Sequence, residues 1–272
     1  MQQVGIIGAG WLGLPLAQAL RARGDHVVLT CTTQDKCNQL RAAHWQVQCY
    51  RAGEGQDWPL TGCSSLVVAI APSKAGDYLA AIREIAHQAK HHGVGRLLLV
   101  SATSVYAPGQ SEADTPRATG ERAERLLAAE QMVWQSGIAS VSVLRPAGLY
   151  GPGRHPGRFL AGKQTSGELS AVNLVHLDDV VAACLLLLDA PTLAPAYMLS
   201  APGHPHRGEF YRRASEMLGL DAPCFIPPQG SFHPLTGERI CRELGFIYRW
   251  PDPMAWLEHE RDEVCQGRDR AL

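Results

Sequence analysis

A chain of 272 residues has room for one α/β domain and a smaller appended one. Hydrophobic residues make up 46% and charged residues 19%, globular proportions with ample material for a core. A formal net charge of −1 argues against a polyanionic partner, so no nucleic acid is expected.

The predicted elements alternate from the start. Strands are expected at Val4–Ile7, His26–Cys31, Trp45–Tyr50, Leu66–Ala71, Arg96–Ser101 and Ser140–Arg145. Helices are expected between them at Trp11–Arg23, Asp35–Ala43, Gly76–His92 and Gly120–Ser136. Strands alternating with helices imply βαβ units and a parallel sheet. The runs LVVAIA and RLLLV are continuously apolar, as strands covered on both faces should be. From Gly148 the pattern loosens. One further strand, Leu174–Leu177, is expected to rejoin the sheet, followed by a helix at Asp179–Asp189. The chain from Ala190 to Leu272 reads as a small mixed cap, with Met254–Val264 as an exposed amphipathic helix.

The eight cysteines (Cys31, Cys37, Cys49, Cys63, Cys184, Cys224, Cys241 and Cys265) form no CxxC pair and keep no zinc-ligand spacing with histidine. They read as scattered reduced thiols of a cytoplasmic protein without a metal site. His204 and His206 bracket a proline and lack a third ligand. The apolar run Val4–Leu20 lacks the basic leader of an export signal. Val180–Leu188 has about half the length needed to span a bilayer. A soluble protein with no membrane partner is expected, and the oligomeric state is left open.

Residues Gly8-Ala9-Gly10-Trp11-Leu12-Gly13 form GxGxxG between an apolar strand and an amphipathic helix, the context a dinucleotide-binding fingerprint requires. Gly8 permits the tight turn, Gly10 lets backbone approach a pyrophosphate, and Gly13 lets helix pack closely on strand. The phosphates then sit at the positive end of the helix dipole. NAD sites usually carry Asp or Glu at the end of the second strand, for the ribose 2′-OH. Here that strand ends Thr32-Thr33-Gln34, with no acid before Asp35. Thr32, Thr33, Gln34 and Lys36 offer donors instead, so NADP is favoured over NAD, although no Arg stands nearby in sequence.

Longer motifs bring a family into view. IIGAGWLGLPLA at 6–17, SATSVY at 101–106, LRPAGLYGPGRHPGRFLAGK at 144–163, NLVHLDDV at 173–180 and RICRELGF at 239–246 resemble the extended short-chain dehydrogenase/reductase superfamily, which includes nucleotide-sugar epimerases and dehydratases. Within it the chain is similar to the YeeZ-like branch of atypical members. The resemblance implies a doubly wound Rossmann sheet from residues 1–150 plus 173–190. It also implies a small mixed α/β substrate cap from 151–172 plus 191–272. Candidate cofactor contacts are Gly8, Gly10, Trp11, Leu12, Gly13, Thr32, Thr33, Pro72 and Pro146.

That family's chemistry rests on a YxxxK pair aided by a Ser, and this chain departs at all three. No Tyr occurs between Tyr106 and Tyr150, no Lys between Lys90 and Lys163, and Ala102 stands where the Ser would fall. Remaining catalytic candidates are Thr103, Ser104 and Tyr106, on the loop after the fifth strand. Arg122 and Arg125 either replace the Lys or pair with Glu121 and Glu124. Asp178 and Asp179 are expected to N-cap the following helix. Arg154, His155, Arg158 and Lys163, in a rigid Pro/Gly turn, are candidates to hold an anionic group of a small substrate, with pairing to Glu168 the competing role. Two functions stay open: an oxidoreductase or epimerase-like enzyme with an unconventional proton donor, and a non-catalytic dinucleotide-binding sensor or docking protein.

Overall fold

The computed structural model describes residues 2–74 and 76–260. In chain order its elements begin β1 (Gln3–Ile7), α1 (Gly13–Ala22), β2 (His26–Cys31), α2 (Gln34–Ala42), β3 (Gln46–Cys49), β4 (Ser65–Val68) and α3 (Tyr78–His91). Then come β5 (Arg96–Val100), α4 (Glu121–Trp134), β6 (Ser140–Pro146), β7 (Gly148–Tyr150), α5 (Gly157–Leu160), β8 (Gln164–Thr165), β9 (Leu174–His176) and α6 (Leu177–Asp189). The chain continues through β10 (Ala196–Leu199), α7 (Arg207–Met217), β11 (Cys224–Phe225), α8 (Arg239–Leu244) and a helix α9 at 253–260.

The central sheet is a seven-stranded parallel Rossmann sheet in the order β10-β6-β5-β4-β1-β2-β3. β4 is buried at all four positions, as its unbroken apolar run requires. The helices bury one stripe each. In α3 that stripe is Tyr78, Ala81, Ile82, Ile85, Ala86 and Ala89, a helical repeat, and Asp77 caps it by accepting from the N–H of Ala80 at 3.0 Å. Among the described residues, no helix is long and apolar enough to cross a membrane.

The chain divides into two compact units. The first comprises the chain up to Ala107, Asp114–Arg145 and Val181–Tyr197. The second comprises Pro108–Ala113, Pro146–Val180 and the chain from Met198. The second unit holds two small parallel ladders, β7 with β9 and β8 with β11. Its core gathers Tyr150, Val172, Leu174, Phe210, Ala214, Trp256 and Leu257.

Several expectations need correction. The strand at Leu174 does not rejoin the main sheet; it pairs with β7. The seventh strand is β10, four buried residues inside the segment read as cap. A parallel neighbour needs a crossover helix, and α6 supplies it between β9 and β10. The helix expected at 254–264 is not an exposed amphipathic face where it is described: Trp256 and Leu257 are buried in the core of the second unit. Its positions 261–264 lie outside the described residues. Cys31 and Cys37 are not free thiols but a disulfide, their Cα atoms 6.2 Å apart. Cys31 ends β2 and Cys37 lies early in α2, so the reversal between strand and helix brings together thiols that no CxxC spacing announced. Cys49, Cys63, Cys184, Cys224 and Cys241 are free, and Cys265 lies outside the described residues.

One ion pair lies inside the first unit. Glu130 on α4 and Arg145 on β6 are 0% and 5% exposed, with Arg145 Nη2 2.6 Å from Glu130 Oε2 and Nε donating to Oε1 at 3.2 Å. Ser101 donates to the same carboxylate at 2.5 Å. Removing one partner of such a pair strands the other charge, at a cost of about 3–5 kcal/mol. Glu130→Ala is therefore expected to lower the thermal midpoint by on the order of 10 °C. Glu121→Ala, which removes only the exposed pair to Arg125, should shift it by less than about 2 °C. Equal shifts in the two variants, measured by calorimetry, would contradict this ranking.

Candidate functional site

Between β1 and α1 the chain turns through Gly8, with φ +105°, and the N–H of Gly10 donates back to the Gly8 carbonyl at 2.8 Å. The glycines of this turn answer to different constraints. A Cβ at Gly8 would lie 2.8 Å from the Ala69 carbonyl oxygen, and one at Gly13 would run into the Gly8 carbonyl oxygen. Both are fixed by packing. A Cβ at Gly10 would meet no protein atom within 4 Å. Packing therefore does not account for glycine at this position, and the open space is what close approach of a pyrophosphate to the backbone would need. Leu12, at the N-cap of α1, makes no side-chain capping hydrogen bond, so no side chain competes for the N-terminus of that helix. Trp11 is half-buried and Leu12 buried in the same turn.

At the end of β2, Thr32 and Thr33 are exposed, and Thr33 caps α2 by accepting from the N–H of Lys36 at 3.4 Å. Pro72 opens a 3₁₀ turn after β4, and Pro146 is buried at the end of β6. After β5, Thr103–Val105 form another 3₁₀ turn, with Thr103 buried and Ser104 exposed. The next residue, Tyr106, is 7% exposed, and its phenol oxygen accepts from Arg145 Nη1 at 2.7 Å. Tyr106 thus joins the buried Arg145–Glu130–Ser101 network, with the guanidinium carbon 5.2 Å from its ring centre. Sequence reading missed Arg145 and Glu130, though a signal existed. One stands in the apolar strand VSVLRP and the other on the buried stripe of α4, and a charge in such a place needs a partner. Arg125 does pair with Glu121, at 2.5 Å, which is the surface role rather than the replacement of the Lys.

In the second unit, Gly157–Leu160 form a single helical turn, so Arg158 does not stand on an irregular loop as expected. Pro156 precedes it with φ −58°, a value that starts a helix as readily as a turn. Gly157 is there for packing: a Cβ would strike the carbonyl of Ala214 on α7. Arg154 and Arg158 are exposed. His155 accepts from the N–H of Gly157 at 3.0 Å and packs against Trp256. Burial, and then the charge of Arg158, push its pKa below the ordinary value, so it is neutral at pH 7. Lys163 donates to the Phe159 carbonyl at 2.9 Å. Glu168, the competing partner, pairs instead with Arg212 at 2.6 Å.

Asp178 and Asp179 do not cap α6; they lie within its first turn and receive the segment at 249–250. Asp179 accepts the backbone N–H of Arg249 at 2.6 Å and of Trp250 at 3.2 Å, and Asp178 accepts from the Trp250 indole at 3.3 Å. Burial pushes Asp179 up to about 6, against the pull of those two N–H groups. Beside it, burial pushes His176 down to about 4. An acid raised in the fold contributes stability that is lost as pH rises from about 4 through 6. A base lowered in the fold contributes stability that is lost as pH falls from 6.5 through 4. Each is worth roughly 3 kcal/mol, so the two oppose one another across a single window. His176→Asn should therefore make the protein more stable on acidification from pH 6.5 to 4.5 relative to the wild type. Denaturant titrations at both pH values check this, and parallel curves would refute it.

Residues 8–191 match the protein family described as NAD(P)H-binding, and the chain belongs to that family. It is a dinucleotide-binding protein with a Rossmann sheet and a nicotinamide dinucleotide as its cofactor. Within that class it stands on the YeeZ branch: it is 40% identical over 270 residues to protein YeeZ of Escherichia coli strain K12, covering 93% of this chain and 98% of that one. Two solved structures share the fold. One is a conserved protein of unknown function from Silicibacter pomeroyi DSS, with a TM-score of 0.82, 20% identity, and 97% and 99% of the two chains covered. The other is MoeE5 in complex with UDP-glucose and NAD, with a TM-score of 0.74, 22% identity, and 96% and 99% covered.

The residues present fit that cofactor: Gly8, Gly10 and Gly13 with the α1 N-terminus would hold its pyrophosphate. Gly10→Val should abolish fluorescence-detected binding of both NADPH and NADH while leaving the thermal midpoint within about 2 °C of the wild type. Retained affinity in this variant would remove the turn from the site.

Proposed function

We propose that the protein is an NADP-preferring oxidoreductase or epimerase-like enzyme on a small anionic substrate, working without the YxxxK pair. The observation that carries this reading is the hydrogen bond from buried Arg145 to the Tyr106 phenol, at the carboxyl ends of β5 and β6. Ligands of open α/β sheets bind at those ends. A guanidinium donating to the phenol oxygen stabilises negative charge developing there, so Tyr106 can release a proton to a substrate oxygen or take one back. Glu130 offsets part of that charge and, by its two contacts, fixes the fork so that Nη1 faces Tyr106. Thr103 and Ser104, in the preceding turn, supply hydroxyls to orient the substrate. A bound nicotinamide supplies hydride chemistry.

The preference for NADP follows from the carboxylate-free end of β2, where Thr32 and Thr33 offer hydroxyls and nothing before Asp35 repels a phosphate. The anionic character of the substrate is proposed from Arg154 and Arg158, two guanidinium groups exposed on and beside one short turn. MoeE5 binds UDP-glucose, and a phosphorylated ligand of that chemistry suits such arginines. The absence of Tyr and Lys from α4 favours the other reading, a dinucleotide sensor.

Three measurements separate these readings. NADPH should bind more tightly than NADH by fluorescence titration. Tyr106→Phe should leave NADPH affinity unchanged and lower turnover about 10²–10⁴-fold on whichever aldehyde, ketone or nucleotide sugar the wild type converts. Tight NADPH binding with no turnover of any of them identifies the sensor. Arg158→Ala should leave NADPH affinity unchanged and abolish calorimetrically detected binding of UDP-glucose and phosphate. A lowered thermal midpoint with anion binding intact would instead make Arg158 a structural residue.

A further inference from the structure

Twenty positions beyond the end of β2, the chain supplies the cation that the β2–α2 turn lacks. β3 is the edge strand beside β2, in parallel register with Cys31 opposite Cys49. The chain leaves it through Tyr50, whose N–H donates to the Cys31 carbonyl at 2.9 Å. The Tyr50 hydroxyl donates to Glu84 Oε1 at 2.6 Å, and the N–H of Gly55 donates to the other oxygen of that carboxylate at 3.1 Å. The N–H of Arg51 donates to the Gln56 side chain at 2.9 Å. The backbone at Arg51 is thus tied to β2, to α3 and to its own loop. From that fixed point the Arg51 side chain crosses to the neighbouring strand, and its Nε donates to the Thr32 carbonyl at 2.9 Å.

We infer that Arg51 holds the 2′-phosphate of NADP, together with the hydroxyls of Thr32 and Thr33. This rests on the NADP preference proposed above and names the residue behind it. Nε is spent on the backbone of Thr32, the first residue past β2, where the 2′ position of the adenosine ribose is recognised in this fold. That anchor fixes the guanidinium beside the turn, and its terminal nitrogens keep the planar fork that suits phosphate. The side chain is 52% exposed, so an incoming phosphate does not have to displace a buried partner. Among the described residues its ion-pair partner is Glu54, 3.9 Å from Nη1 and 55% exposed, a pair too long and too solvated to compete with a dianion. NAD offers only a hydroxyl at this position, and β2 ends without a carboxylate to accept from it.

The test uses NADPH and NADH titrated by fluorescence, and 2′,5′-ADP and 5′-AMP titrated by calorimetry, against the wild type, Arg51→Ala and Arg51→Lys. Arg51→Ala should weaken NADPH and 2′,5′-ADP by about 10–100-fold, the range of one charged hydrogen-bonding contact, and leave NADH and 5′-AMP within about twofold. Arg51→Lys, which keeps the charge and loses the fork, should fall between. If Arg51→Ala weakens all four ligands together, Arg51 only shapes the turn and the inference is overturned. If the wild type prefers NADPH and Arg51→Ala keeps that preference, another group reads the phosphate and the inference fails while the NADP reading stands. If the wild type itself prefers NADH, the NADP reading fails first and carries the inference with it.

Discussion

The close approach of three backbone segments around Gly8 is the constraint on which the first unit is organised. Gly8 lies against the carbonyl of Ala69 beyond β4, and Gly13, at the start of α1, lies against the carbonyl of Gly8. No side chain larger than hydrogen fits either gap. The consequence is geometric: α1 springs directly from β1, an interior strand of the sheet, with its positive end at the carboxyl edge. Gly10 lies between two positions fixed by packing and is itself unconstrained by the protein. That difference separates two glycines held by packing from one that packing does not explain.

A second constraint runs along the other half of the sheet. Burying Glu130 and Arg145 is costly, and their two contacts, with Ser101 added, offset that cost. The remaining nitrogen of the guanidinium, Nη1, donates to Tyr106. An arrangement required to neutralise a buried charge therefore also orients a phenol at the end of the sheet where chemistry is done in this fold.

In the second unit the same logic serves structure. Asp179 collects two backbone N–H groups from 249–250, and Asp178 the Trp250 indole, so the carboxylates tie the C-terminal segment to the start of α6. His176 sits within this cluster, packed against Tyr150, Trp250 and Trp256, and is kept neutral by burial. Gly157 in the Pro/Gly-rich stretch is likewise explained by packing on α7.

Local rules made much of the molecule legible in advance. Short continuous apolar runs alternating with helical stretches fit strands covered on both faces, and GxGxxG between a strand and a helix admits few readings, so the Rossmann sheet and its glycine turn were legible in the sequence itself. Features that depend on distant partners were not. AYML at 196–199 carries no mark of a central-sheet strand until α6 is seen to deliver it beside β6, and LVH at 174–176 is equally apolar yet pairs with β7. Cys31 and Cys37 meet only because strand and helix reverse between them. Arg145 and Glu130 stood in the sequence as isolated charges on apolar elements, and Arg51 as one exposed residue nineteen positions from Thr32. Periodicity reports which face of an element is buried. It does not report which neighbour is brought against that face, and hydrogen bonds between residues far apart in the chain depend on that choice.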